Sequence, residues 1–140
     1  MGIDMFRLKI ITPEKTVFDR DVKFVEFRTV DGAMGTLQNR IPLFAALAIS
    51  ELEIEEADGR RTFFAVHGGV GEFFNNTFTI LSDAAERPEE IDVERARKSL
   101  ERAKIDIESV EKIRRKELEM KIQRALVRLK ISEKRERRSD

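Results

Sequence analysis

Several residue types are absent or scarce in this chain of 140 residues, and each absence removes a class of function. Cysteine is absent, which excludes disulfides, thiolate metal sites and cysteine nucleophiles. Histidine occurs once, as His67, so mechanisms that need paired histidines are excluded. None of the serines lies in the Gly-flanked turn that exposes a nucleophilic serine in hydrolases. The sequence therefore predicts a protein that is not an enzyme and holds no metal.

An excess of charge of one sign is lacking as well. The chain has 27 Lys and Arg against 27 Asp and Glu, so its net charge is zero although 39% of its residues are charged. Proteins that mainly bind nucleic acid or anionic membranes usually carry a basic surplus. No apolar run approaches the roughly 18 residues that span a bilayer, and the first residues do not resemble a signal peptide. These features predict a soluble protein that does not insert into a membrane.

Glycine, proline and aromatic residues are unevenly distributed and divide the chain in two. Every Gly and Phe lies at or before Phe78, and the last Pro is Pro88. Turn-forming and aromatic residues are typical of short strands, whereas their absence over nearly fifty residues favours helices. The boundary is predicted near residues 87–90, with a β domain over 1–87 and a helical domain over 88–140.

Short alternating runs separated by turn residues characterise the first part. Apolar residues alternate at positions 6–10. Within residues 22–27 this alternation shifts by one position, which indicates a bulge or a strand with two apolar faces. Residues 58–59, Asp-Gly, predict a hairpin. The nearly continuous apolar run 41–49 predicts a buried segment. Many short strands at this spacing predict an antiparallel β-sandwich or barrel.

The glycine-rich run 68–71 is a weak motif. It lacks the Lys-Ser/Thr pair of a phosphate-binding loop, so it is interpreted as a tight turn that allows positive φ. His67 stands beside this turn, where a surface or packing role is expected.

Two apolar seams with helical spacing run through the second part. The first comprises Val93, Ala96, Leu100, Ala103, Ile107 and Val110; the second comprises Leu118, Ile122, Ala125, Leu126 and Leu129. Asp92 precedes the first seam as the predicted N-cap. The change of phase between Val110 and Leu118 favours a hinge there and an antiparallel two-helix hairpin. One long bent helix is the alternative.

Four arginines have spacings that pair them on helix faces. Arg95 and Arg102 share one face of the first helix, and Arg124 and Arg128 share one face of the second. In a hairpin these faces converge into a cationic cleft rimmed by Asp92 and Glu86, suited to phosphate oxygens. The alternative interpretation of this spacing is a solvent-exposed charged face with ordinary ion pairs.

Six blocks of sequence, in order, resemble the epsilon subunit of bacterial F-type ATP synthases, the counterpart of the mitochondrial delta subunit. These blocks are Ile10-Ile11-Thr12-Pro13, the loop 35–42, Gly68-Gly69-Val70-Gly71-Glu72, Ser82-Asp83-Ala84-Ala85-Glu86, Ile91-Asp92-Val93-Glu94-Arg95-Ala96, and Arg124-Ala125-Leu126-Val127-Arg128-Leu129. The resemblance covers essentially the whole chain.

The resemblance implies a non-catalytic rotor subunit in the central stalk of a proton- or sodium-translocating enzyme, peripheral on the cytoplasmic face of the bacterial membrane. Its partners would be the gamma subunit, the c ring and the alpha/beta catalytic hexamer. The helical arm would inhibit ATP hydrolysis when extended. In that state, basic residues of the second helix are expected to face acidic helices of the catalytic subunits: Arg114, Arg115, Lys121 and Arg128. No cofactor would be required, but some members bind ATP in the folded arm. The positions carried over for ATP are Glu86, Ile91, Asp92, Arg95, Ala96, Arg102, Arg124 and Arg128.

The c-ring contact loop, Gln38, Asn39 and Arg40, departs from the family pattern. Gln38 and Arg40 stand where members usually have Pro and His, so the details of that contact are open. A nucleic-acid-binding module built on the basic second helix is an alternative function. The balanced charge and the lack of aromatic residues in the arm argue against it.

Overall fold

The computed structural model describes residues 5–32, 34–36 and 41–134. Seven strands precede a 3-10 turn, Pro88–Glu90, and two helices. The strands are β1 (Phe6–Ile11), β2 (Thr16–Arg28), β3 (Met34–Thr36), β4 (Leu43–Glu56), β5 (Arg61–Phe74), β6 (Thr77–Leu81) and β7 (Ala85–Glu86). The helices are α1 (Val93–Asp106) and α2 (Lys112–Ser132). A β domain followed by a two-helix hairpin is therefore confirmed, and the single bent helix is excluded.

The sheet closes on itself. Its order is β1-β6-β5-β4-β2-β3, and β1 also pairs with β2, so five strands form a ring. Closure satisfies the backbone groups that edge strands would otherwise leave unpaired. The pairs are antiparallel except β1–β6, which is parallel. The sequence did not predict this parallel pair, because strands far apart in sequence carry no hairpin signal.

Alternating apolar side chains fill the interior of the ring. Phe6, Leu8 and Ile10 of β1 point inward and are almost completely buried, as their spacing predicts. Aromatic rings meet edge to face in this core, with the Phe6 and Phe73 centroids 5.7 Å apart. Such contacts stabilise by about 0.5–1.5 kcal/mol beyond burial alone. None of this core involves the helices, so the β domain has an interior of its own.

Two local predictions in the β domain are confirmed. The register of β2 against β4 shifts between Val22 and Phe24, which is the bulge indicated by the slip in parity. The Asp-Gly pair closes the β4–β5 hairpin, where the Gly59 amide donates to the Glu56 carbonyl at 2.9 Å and Gly59 has φ of +90°. Both features depend only on neighbouring residues.

The Gly68-Gly69 pair does not form a turn between strands, contrary to the prediction. It lies inside β5, although both residues have the expected positive φ, +76° and +111°. Before the pair the even-numbered Phe64 and Val66 are buried, and after it the odd-numbered Phe73 is buried. The two glycines therefore change which face of β5 points inward, and this lets one long strand bend around the core.

The run 41–49 is not a buried segment, so that prediction is wrong. Ile41 is 78% exposed and Phe44 is 71% exposed, whereas Leu47 is buried. Alternate residues of a strand point to opposite faces, so Phe44 lies on the outer face of β4. Register places Phe74 and Leu81 on the same outer face, and both are exposed. We call Phe44, Phe74 and Leu81 the outer patch.

Local capping and a short turn form the helical hairpin. The Asp92 carboxylate accepts a hydrogen bond from the Arg95 amide at 3.1 Å, as predicted for the N-cap. The turn occupies residues 107–111, so the second helix begins well before Leu118. The predicted hinge therefore lies too late, because residues 114–117 of α2 are all charged and exposed and carry no apolar seam that marks the helix.

The hairpin, which we call the arm, docks on the outer side of β4 and β5 through α2. Ala96, Ala103 and Ala125 are buried where the two helices meet. Val127 and Ile131 of α2 form a separate apolar cluster with residues of the sheet and the connecting turn: Ile49, Phe63, Ala65 and Ile91. Among the described residues, no helix is long and apolar enough to cross a membrane.

Candidate functional site at the arm–sheet junction

Three side chains from three elements meet where the arm docks. Glu86 lies in β7, which pairs with β5 so that Glu86 is opposite Ala65. Its Oε1 accepts hydrogen bonds from His67 Nε2 of β5 and from Arg128 Nε of α2, each at 2.8 Å. Residue 128 is 42 positions away along the chain. One carboxylate oxygen therefore links the sheet to the arm.

Burial and hydrogen bonding act in opposite directions on Glu86. Burial alone raises the pKa of its carboxyl group, but the hydrogen bonds from His67 and Arg128 and the nearby positive charge of Arg128 outweigh it. The net effect lowers the pKa below the ordinary glutamate value of 4.5. A lowered pKa means that the ionised carboxylate stabilises the folded chain, and the part that comes from Arg128 stabilises the docked arm. That contribution is complete above the ordinary value and is lost as the pH falls through the lowered pKa.

Two further cations contact the sheet beyond this junction, one in α2 and one just after its end. Lys130 Nζ lies 3.0 Å from Glu51 Oε1, and Lys134 Nζ lies 4.8 Å from the centre of the Phe63 ring. The Lys130 side chain is 64% exposed, and ion pairs of this kind contribute about 0–1 kcal/mol. These contacts orient α2, whereas Val127 and Ile131 supply most of its docking energy.

The structure brings only part of the carried-over ATP set into contact. Glu86 and Arg128 are hydrogen-bonded, and Ile91 belongs to the apolar cluster that includes Val127, the residue before Arg128. Ala96 is buried between the helices, and Asp92 caps α1.

The remaining arginines of the set stand apart from that contact. Arg95 is exposed and Arg124 is half-buried. Arg102 is 81% exposed and lies 3.5 Å from Asp106, one turn along α1. Their roles in binding remain predictions.

The residues expected to contact catalytic subunits all lie on α2, but they differ in exposure. Arg114, Arg115 and Lys121 are exposed, while Arg128 is engaged with Glu86. The proposed c-ring residues Gln38, Asn39 and Arg40 lie outside the described residues.

Sequence reasoning missed the part that His67 plays at this junction. Its side chain is only 2% exposed and is hydrogen-bonded to the predicted site residue Glu86, rather than lying at the surface. Val127 and Ile131 were also absent from the predicted seam. Their spacing of four, on a face distinct from the interhelical seam, is the signal that identifies a second apolar stripe.

Known proteins match both parts of the chain. The family model for the beta-sandwich domain of the ATP synthase delta/epsilon chain matches residues 5–88, and the model for its long alpha-helix domain matches residues 89–133. The ATP synthase epsilon chain of Lactiplantibacillus plantarum is 42% identical over 106 residues, which cover 74% of this chain and 75% of that protein. The sodium-ion-specific ATP synthase epsilon chain of Propionigenium modestum is 37% identical over 129 residues, which cover 91% and 93%.

A solved structure supports the fold. A chain of the Euglena gracilis mitochondrial ATP synthase superposes with a TM-score of 0.76 at 21% identity, covering 88% of this chain and 78% of that one. The two family models together match almost every described residue, and the relatives match along both domains. The predicted family is therefore confirmed: the chain belongs to the ATP synthase delta/epsilon family, as an epsilon chain, a non-catalytic subunit of the F-type ATP synthase.

Proposed function

We propose that this epsilon chain joins the gamma subunit to the c ring in the central stalk and limits ATP hydrolysis by releasing its arm toward the alpha/beta hexamer. The complex would hold the chain peripherally, on the cytoplasmic face of the bacterial membrane. The observation that carries the proposal is the modest contact between the arm and the sheet. A switch needs two states separated by only a few kcal/mol.

The size of that contact fits a reversible arm. Two large apolar side chains of α2, Val127 and Ile131, are buried on the sheet side. Each stabilises docking by about 1.5–3 kcal/mol before the entropy of ordering the arm is subtracted. Alanines, rather than larger side chains, fill the buried centre of the interface between the helices. The arm can therefore exchange these contacts for others on gamma without a large loss of free energy.

The outer patch supports an attachment surface on the β domain. Phe44 and Phe74 are 71% and 62% exposed, on a part of the outer face of β4 and β5 that the arm does not cover. Exposed aromatic side chains clustered on one face are typical of interaction sites. We assign this patch to the gamma subunit.

Replacement of both phenylalanines by serine tests this assignment. We expect Phe44→Ser with Phe74→Ser to reduce co-purification with gamma by at least about 10-fold, since aromatic anchors often contribute 2 kcal/mol or more. The outward position of both rings predicts that folding will survive, which circular dichroism checks. Exposed Ile105 on α1 offers a matched control as Ile105→Ser. If the double variant recovered as much gamma as the parent, the outer patch would not be part of the interface with gamma.

ATP is proposed to bind the docked arm and to favour it. Glu86 accepts from the Nε of Arg128, and within the described residues the terminal nitrogens of the guanidinium remain available for phosphate oxygens. Arg95, Arg102 and Arg124 supply further positive charge on the two helices. A ligand that bridges α1 and α2 stabilises the hairpin in proportion to its affinity.

Calorimetry on the purified chain tests ATP binding. We expect Arg128→Ala to weaken ATP binding by at least about 10-fold, because charge-assisted hydrogen bonds contribute about 1.5–3 kcal/mol. Arg97→Ala is the matched control, since Arg97 pairs with Glu94 on the surface of α1. A lack of ATP binding by the parent at millimolar concentration, or equal affinity in Arg128→Ala, would rule out the nucleotide site.

A further inference from the structure

The only histidine of the chain lies on the side of β5 that faces the arm. Phe63 and Ala65 contact the arm cluster, and His67 follows them with the same alternation. Its side chain is only 2% exposed, and its backbone amide donates to the Ala84 carbonyl at 3.0 Å. The backbone that carries the ring is therefore fixed to the segment that leads into β7.

The hydrogen bonding of the ring defines its orientation. An ionised carboxylate only accepts, so the contact of 2.8 Å requires a proton on Nε2 of His67 and makes Glu86 the acceptor. The other nitrogen, Nδ1, is buried and has no hydrogen-bond partner within the described part of the chain. The single hydrogen bond of this imidazole is thus directed at Glu86.

Glu86 in turn fixes the guanidinium of Arg128. The charged groups in contact at this junction are Glu86 from β7 and Arg128 from α2. A carboxylate that is free to rotate would offer Arg128 several geometries, whereas one held by His67 presents Oε1 in a single direction. The orientation of Arg128 therefore depends on a residue that it does not touch.

We propose that His67 is a positioning residue of the nucleotide site: its Nε2–H fixes Glu86, and Glu86 orients the free nitrogens of Arg128 toward phosphate. This inference rests on the proposed binding of ATP to the docked arm. His67 itself makes no contact with the ligand in this arrangement. Its effect on nucleotide binding is transmitted by two hydrogen bonds, from His67 to Glu86 and from Arg128 to Glu86.

Two substitutions in the full chain separate positioning from mere packing. His67→Leu fills the space and removes the donor, whereas His67→Gln places an amide N–H close to the position of Nε2. The first readout is the Glu86 carboxyl titration followed by NMR without nucleotide. The second is ATP affinity from calorimetry. Thermal melting reports folding, and His67→Asn, whose amide is too short to reach Glu86, replaces the Leu variant if that variant does not fold.

We expect loss of the donor to raise the pKa of Glu86 and to weaken ATP binding about 10-fold, the size of one charge-assisted hydrogen bond. His67→Gln should restore both values toward those of the parent. An unchanged Glu86 titration in His67→Leu would overturn the positioning role. ATP binding that is equally tight in parent and His67→Leu would also overturn it, whereas no ATP binding by the parent would overturn the nucleotide site itself.

Discussion

Replacing Ile131 with aspartate is expected to release the arm from the β domain while leaving that domain folded. Ile131 is completely buried against Ala65, Val127 and their neighbours. A carboxylate there would lie within an apolar cluster, and burial of a charge in such surroundings costs several kcal/mol. Since docking itself contributes only a few kcal/mol, the arm would separate from the sheet and expose the charge to water.

Amide hydrogen exchange measures this release directly. A loss of about 3 kcal/mol corresponds to roughly a 100-fold rise in exchange for amides protected only by docking. We expect this rise in α2, with the amides of β1 and β6 unchanged because their side chains belong to the separate core.

Met120→Asp is the matched control, since Met120 is 40% exposed on the same helix. It introduces the same charge without burying it. If α2 remained equally protected in Ile131→Asp, the apolar cluster would not be what holds the arm.

Replacement of Gly69 by alanine is expected to destabilise the β domain strongly. A methyl group at Gly69 would lie 2.1 Å from the Leu81 carbonyl oxygen and 2.8 Å from Ser82 Cα. Both are backbone atoms and cannot rotate away. The φ of +111° adds strain for any residue with a side chain. We expect a loss of about 3 kcal/mol or more in the free energy of unfolding.

Gly59→Ala distinguishes the cost of backbone strain at positive φ from the cost of a steric clash. Gly59 also has positive φ, +90°, but a methyl group there would have no neighbour within 4 Å among the described atoms. Only the backbone penalty of about 1 kcal/mol is expected. Urea denaturation of the two variants measures the difference, and equal destabilisation would show that the close approach of β5 to residues 81–82 contributes nothing.

Local signals predicted the features that depend on neighbouring residues. The Asp92 cap, the Asp58-Gly59 hairpin and the bulge in β2 each follow from a few adjacent side chains. The Gly68-Gly69 pair shows the limit of such signals. Its positive φ was predictable, but whether the chain turns back or bends onward depends on the strands around it.

The candidate site is formed by residues that are far apart in the sequence, so local signals could not predict it. Glu86 and Arg128 were named through the family resemblance, and their contact joins residues that no periodicity relates. His67 gave no local sign of burial, because β7 covers it only after the chain has returned past β5. The second apolar stripe of α2, Val127 and Ile131, was visible in the sequence. Its role could not be predicted, because the sequence does not show that the sheet packs against it.

In the proposed nucleotide site, docking of the arm and binding of the ligand would be linked at one carboxylate, that of Glu86. Glu86 closes the contact between sheet and arm, and the same contact leaves Arg128 with free donors on its guanidinium. A nucleotide at this place would therefore stabilise the docked arm rather than compete with it. This linkage is the physical reason to expect ATP to oppose release of the arm.

The most direct test of the account is to lock the arm in its docked position and measure ATP hydrolysis. Glu51 and Lys130 contact each other across the junction, and the chain has no cysteine of its own. Glu51→Cys with Lys130→Cys can therefore be bridged by a short thiol-reactive crosslinker before the subunit is reconstituted into the complex. The account predicts that the complex with the bridged subunit hydrolyses ATP faster than the complex with the unbridged variant. Equal inhibition by the bridged and unbridged subunits would contradict the proposal that release of the arm inhibits the enzyme.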